Sequence, residues 1–142
     1  MLFHINSNAQ ELDYNLDDGY IAKGYDVVSY FNSNPMEGVK EYITEYGNAK
    51  LKFANRENLE AFKENPEKYM PQYGGYCAWA VADNGKKVDI DPESYEIRDG
   101  KLYLFYDSFF ANTLKKWKKN NPEQLRDKAD RKWEKVKYDI DN

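Results

Sequence analysis

Two short alternating runs, Tyr95-Glu96-Ile97-Arg98 and Lys101 to Tyr106, flank the dipeptide Asp99-Gly100. This pattern restricts the fold more than any other in the chain. Asp-Gly tolerates the left-handed backbone at both central positions of a two-residue hairpin turn, and that turn fixes the register of the strands on either side. A second pair repeats the logic: Glu41 to Tyr46 and Ala49 to Phe53 alternate across Gly47-Asn48. An isolated hairpin is marginal in water, so each needs an apolar partner.

Helices supply that partner. Asn55 is an N-cap for a helix carrying Leu59 and Phe62, with Ala61 beside them, and Pro66 ends it or opens a further turn containing Tyr69. Ser108 is the expected cap of a helix carrying Phe109, Leu114 and Trp117. Pro122 suits the first turn of a last helix, whose stripe is Leu125, Ala129, Trp133 and Val136. Tyr20 to Lys23 reads as a short strand, Gly24 as a turn, and Asp26 as the cap of a short helix through Val27, Val28, Tyr30 and Phe31. Residues 83–94 read as a polar connection with one short strand near Val88. The expected fold is therefore α+β, with small antiparallel hairpins packed against several helices. It forms a single domain over residues 19–138, preceded by a polar N-terminal arm over residues 1–18. At 142 residues the chain is long enough for one real core without a disulfide or metal.

Composition excludes several classes. A net charge of −4 offers no basic face for nucleic acid, and the lysines from Lys115 to Lys119 read as a solvated helix face. No apolar stretch approaches the roughly 20 residues of a membrane span, and Met1 to Gln10 carries no export-leader pattern. The single histidine, His4, rules out a Ser-His-Asp arrangement and, with a single cysteine, the usual four-ligand zinc site.

The chemistry-bearing segment is Tyr73-Gly74-Gly75-Tyr76-Cys77, leading into Ala78-Trp79-Ala80-Val81-Ala82. The run from Tyr76 is apolar on nearly every side, and a buried strand competes with a buried helix; alanines at 78, 80 and 82 favour helix. The glycine pair permits a sharp bend and a close approach of the backbone to a ligand. In the first helical turn, Cys77 would meet free amides and the positive end of the helix dipole, which favour a thiolate. The competing role for Cys77 is an apolar filler in the core. Copper(I) would accept Cys77 with Met70 or Met36 as a thioether partner; the competing role for Met70 is again core. Asp26 either orients a ligand near Cys77 or caps its helix. Tyr25, Tyr73 and Tyr76 either line a pocket with phenols or stand at the core edge. Asp89, Asp91 and Glu93 read as a solvated turn.

The stretch Asn65-Pro66-Glu67-Lys68-Tyr69-Met70-Pro71-Gln72-Tyr73-Gly74-Gly75-Tyr76-Cys77-Ala78-Trp79 resembles the YHS-domain family, and most of all its stand-alone bacterial members. Lys23-Gly24-Tyr25-Asp26 with Tyr30-Phe31, Asp91-Pro92-Glu93 and Asp99 to Leu104 fit the same pattern, so the resemblance runs from about Tyr20 to Trp133. It implies a small α+β fold with a hairpin on helices, an association with metals, copper in particular, and an exported or periplasmic location. Some relatives place selenocysteine where this chain has Cys77, which implies a redox-active position. Three functions are expected. The first is a small ligand- or metal-binding protein, with Tyr25, Asp26, Tyr73, Gly75, Tyr76 and Cys77 at the ligand and Cys77 with Met70 at a metal. The second is a thiol redox enzyme using Cys77, resolved by an external thiol. The third is a non-catalytic interaction domain with Cys77 in the core.

Overall fold

The computed structural model describes residues 11–140. Strands β1 (Leu16–Asp17), β2 (Tyr20–Ile21), β3 (Val39–Tyr46) and β4 (Ala49–Phe53) form one sheet in the order β1-β2-β4-β3. β3 and β4 pair antiparallel around Gly47-Asn48, whereas β2 runs parallel to β4 through Tyr20 and Lys50. Strands β5 (Asp91–Arg98) and β6 (Lys101–Phe105) form the second hairpin, with Asp99 at φ +51° and Gly100 at φ +75°. Both values are left-handed, as the expected two-residue turn requires. β5 starts four residues earlier than its alternating pattern, and a register shift between Asp91 and Tyr95 absorbs the extra length.

The helices are α1 (Arg56–Glu64), α2 (Pro66–Tyr69), α3 (Ala78–Asn84), α4 (Thr113–Lys119) and α5 (Pro122–Val136). Asn55 Oδ1 accepts from the Asn58 amide at 2.8 Å and starts α1, and Pro66 and Pro122 occupy first turns as expected. The run after Cys77 is helix, in line with its alanines. Tyr20 to Lys23 is only half strand: Ala22 and Lys23 take φ +53° and +54°, and a 3-10 turn over Ala22–Gly24 replaces the rest.

One core joins both sheets. Leu102, Tyr103, Leu104 and Phe105 are all buried, since β6 is covered on both faces. Tyr103 and Phe105 project to one side, where the Trp117 indole lies 5.7 and 5.3 Å from their rings. Trp117 Nε1 donates to Glu96 Oε1 at 3.0 Å, which satisfies its one polar atom inside the core.

Other expectations fail locally: Val88 lies in no strand, and the segment after Asp26 is a 3-10 turn over Ser29–Asn32 rather than a helix from Val27. Ser108 does not cap a helix: its hydroxyl accepts from the amides of Phe110 and Ala111 and closes a tight turn of its own. Asn112 caps α4 instead, accepting from the Lys115 amide at 3.0 Å, so Phe109 falls outside the helix and 95% of it is exposed. Residues 11–18, expected within a polar arm, are docked. The Asp13 amide donates to the Lys137 carbonyl, the Asn15 amide to the Gly74 carbonyl, and β1 joins the sheet. Residues 1–10, His4 among them, lie outside the described part. Among the described residues, no helix is long and apolar enough to cross a membrane.

Candidate functional site

The turn Gln72–Gly75 links α2 to α3 and holds three successive residues in the left-handed region: Tyr73 at φ +57°, Gly74 at +63° and Gly75 at +85°. Glycine adopts this region freely, tyrosine only at a cost. A Cβ added at Gly74 would stand 2.5 Å from the Asp13 carbonyl oxygen, and one at Gly75 would stand 2.9 Å from Ile21 Cδ1. The close approach that the glycine pair permits is therefore made by the protein's own chain. Asn15 reinforces it, its side-chain amide donating to the Gly75 carbonyl at 3.2 Å. The Tyr76 hydroxyl donates to Asp13 Oδ1 at 3.1 Å, while Lys87 Nζ donates to Oδ2 at 2.8 Å. Burial and the Asp13 carboxylate together push the Tyr76 phenol well above its ordinary range.

Cys77 stands at the N-cap of α3 but makes no capping bond with its side chain. Its amide donates to the Val88 carbonyl at 2.9 Å, and its Sγ lies 3.4 Å from Thr113 Oγ1. The Thr113 hydroxyl spends its single proton on the Tyr106 carbonyl at 2.6 Å, so the Cys77 S–H is the donor to the threonine oxygen. The residue is 0% exposed. The sulfur, expected among the free amides of the first helical turn, is instead enclosed against Thr113 of α4, as the competing core role requires. Labelling of native protein by a soluble thiol reagent should be slower than in denaturant by roughly three orders of magnitude, since reaction must await opening. Stopped-flow labelling with a chromogenic disulfide measures the ratio; a native rate within tenfold of the denatured rate would contradict the enclosed sulfur.

Asp26, also 0% exposed, occupies a separate place. Its Oδ1 accepts from the amides of Val28 (2.9 Å) and Ser29 (3.2 Å), and its Oδ2 from the Ala54 amide (2.9 Å) and Asn58 Nδ2 (2.7 Å). This carboxylate caps its own turn and ties that turn to the end of β4 and to α1. Met36 belongs to the same cluster: its carbonyl accepts from the Asp26 amide and its own amide donates to Ser29 Oγ. Tyr25 pairs with Glu37 in a single β-bridge. Partial burial and the carboxylates of Glu93, Glu37 and Asp91 raise its phenol. Asp89, near the start of β5, accepts from Lys23 Nζ and Asn15 Nδ2, as a surface turn does.

Of the residues singled out in the sequence, Met70 and Tyr73 share an open groove of about 460 Å³, with Gly74 in its wall. Tyr25, Asp26, Gly75, Tyr76 and Cys77 do not line it. Tyr14, Tyr46 and Trp133 supply further aromatic surface, and Glu67, Asp130, Glu134 and Lys101 supply charge; Glu134 pairs with Lys137 at 2.7 Å, and Lys87 Nζ stands 5.7 Å from the Trp133 ring. The Tyr73 hydroxyl donates to Asp130 Oδ1 at 2.8 Å, and its ring lies 6.3 Å from that of Trp133. Burial first, and then the hydrogen bond to Asp130, push the Tyr73 phenol far above its ordinary range, so it stays a neutral donor. Among the described residues, no group of three or more His, Cys, Asp or Glu is placed to hold a metal ion.

The groove escaped the sequence reading because it is assembled from distant segments. One local signal was available: Asp130, Trp133 and Glu134 share one face of α5 by their spacing, with a carboxylate on each side of an aromatic residue. No protein-family model, no curated protein and no solved structure matches the chain.

Proposed function

We propose that this chain is a small YHS-like ligand-binding protein whose ligand occupies the groove beside Tyr73 and whose preferred ligand is a small organic cation, an amine or quaternary ammonium. The observation that carries this reading is the lining of the groove: the side chains of Tyr14, Tyr46, Tyr73 and Trp133 stand with Glu67, Asp130, Glu134 and Lys101, and of the three carboxylates Glu134 is paired with Lys137 at 2.7 Å. Aromatic faces carry negative potential and attract cations, most strongly where solvent is partly excluded. Carboxylates at the rim add attraction that is screened by salt. Small ligands bind in concave sites where a few polar groups stand among apolar and aromatic side chains.

A soft metal ion such as copper(I) would find the Met70 thioether at the groove but not the Cys77 sulfur, which is turned to Thr113. Thiol redox chemistry at Cys77 would likewise need the core to open first. Neither alternative has a supporting contact equal to the groove.

Calorimetric titration of the full chain with benzyltrimethylammonium, benzyl alcohol and benzoate tests the proposal. The cation is expected to bind at least about tenfold more tightly than the other two, which share its ring. Glu67→Gln and Trp133→Leu should each weaken it severalfold. Equal binding of all three probes, preference for benzoate, or indifference to both substitutions would refute it.

A further inference from the structure

We infer that the turn Asp107–Asn112, together with helix α4, is a docking surface for an anionic lipid bilayer. Phe109 and Phe110 are 95% and 93% exposed, the largest exposures among the described large apolar side chains. Their rings touch each other edge-on, 5.2 Å apart, and no other described ring packs on them. The turn holds them out: Ser108 Oγ accepts from the amides of Phe110 and Ala111, and the Asp107–Asn112 bridge closes the base. A structured turn that presents two adjacent phenylalanines to water gains nothing for the fold, because such side chains stabilise only when they leave water.

The turn leads through Asn112 into α4, which carries Lys115, Lys116, Lys118 and Lys119 within seven residues. Lys115, Lys118 and Lys119 share one side of the helix and, with Leu114, border a shallow hollow beside the turn. Trp117 points the other way, into the core. The chain as a whole is acidic, so this basic cluster departs from its overall charge. Aromatic side chains at the tip and lysines behind them are the two components of interfacial binding. The rings enter the headgroup and acyl boundary, and the ammonium groups face anionic lipid at the surface. The projecting shape favours a bilayer over a protein partner. A protein interface needs about 800 Å² on each side, whereas two side chains on a convex turn fit a deformable planar surface.

The test is co-sedimentation of the full chain with vesicles of phosphatidylcholine alone and of phosphatidylcholine with phosphatidylglycerol. Association is expected with the anionic vesicles only, and it should weaken with added salt. Phe109→Ser with Phe110→Ser should lower it by about tenfold or more, as should Lys115→Glu with Lys118→Glu. All four positions are on the surface, so melting temperatures should stay near that of the parent chain. No association with anionic vesicles would overturn the inference. So would association that ignores the phenylalanine pair, or binding to an acidic peptide with the same dependence on both clusters while vesicles stay free. None of these results bears on the groove, whose probes are small cations in solution.

Discussion

Replacing Asp26 with alanine should cost about 4 kcal/mol or more, a large share of the roughly 5–15 kcal/mol that keeps a typical domain folded. The substitution removes one acceptor group and strands three donors, the amides of Val28 and Ala54 and the Asn58 side-chain amide, while the Ser29 amide keeps the main-chain carbonyl of residue 26 at 3.1 Å. Each buried orphan donor costs about 1–3 kcal/mol, and Asp26 itself is fully buried, so water cannot replace the carboxylate without opening the structure. Asp26→Asn should fall between, at about 2 kcal/mol, because one oxygen remains but the amide nitrogen now faces donors. Urea unfolding of the three proteins gives the order directly. A loss below about 1 kcal/mol for alanine would contradict the clasp.

The second large effect is expected at Gly74. Alanine there meets a left-handed φ of +63° and a backbone oxygen 2.5 Å from its Cβ, with Trp133 ring carbons at 3.1 and 3.2 Å. The expected cost is about 2–4 kcal/mol, more than the backbone preference alone accounts for. Gly100→Ala separates the two causes. Its φ is +75° but nothing lies within 4 Å of the added atom, so only the conformational part, about 1 kcal/mol, should be lost. Gly74→Ala should also release the docked segment. Hydrogen exchange at the Asn15 amide, which donates to the Gly74 carbonyl, should accelerate in Gly74→Ala and not in Gly100→Ala. Equal losses at the two glycines would mean that the approach of Asp13 is not what constrains Gly74.

Much of the fold was legible because its signals are local. Asp99-Gly100 and Gly47-Asn48 each carry their turn within two residues, and the Asn55 cap and the two helix-opening prolines act over a single turn. The stripe of α5 was readable because Leu125, Ala129 and Trp133 recur at the helical period. Phe109 was misread where two local signals compete: Ser108 and Asn112 are both good caps four residues apart, and the later one starts the helix.

The site was less legible because its surroundings come from far along the chain. Whether Cys77 faces water depends on Thr113, 36 residues later, and nothing near the glycine pair says that α4 will cover the sulfur. The glycine pair looked like a place for a ligand to approach, but residues 13–15, more than fifty positions earlier, take that place. Of the groove, Met70 and Tyr73 were visible in the segment itself. Tyr14, Tyr46, Asp130 and Trp133 reach it only through tertiary packing.

Amide and indole chemical shifts of the full chain during titration with benzyltrimethylammonium test the placement of the ligand most directly. The largest changes should fall on Tyr14, Tyr46, Tyr73 and the Trp133 indole, while Ala78, Val88 and Thr113 around the sulfur stay still. Changes centred on those three, or on Tyr25 and Asp26, would contradict the groove.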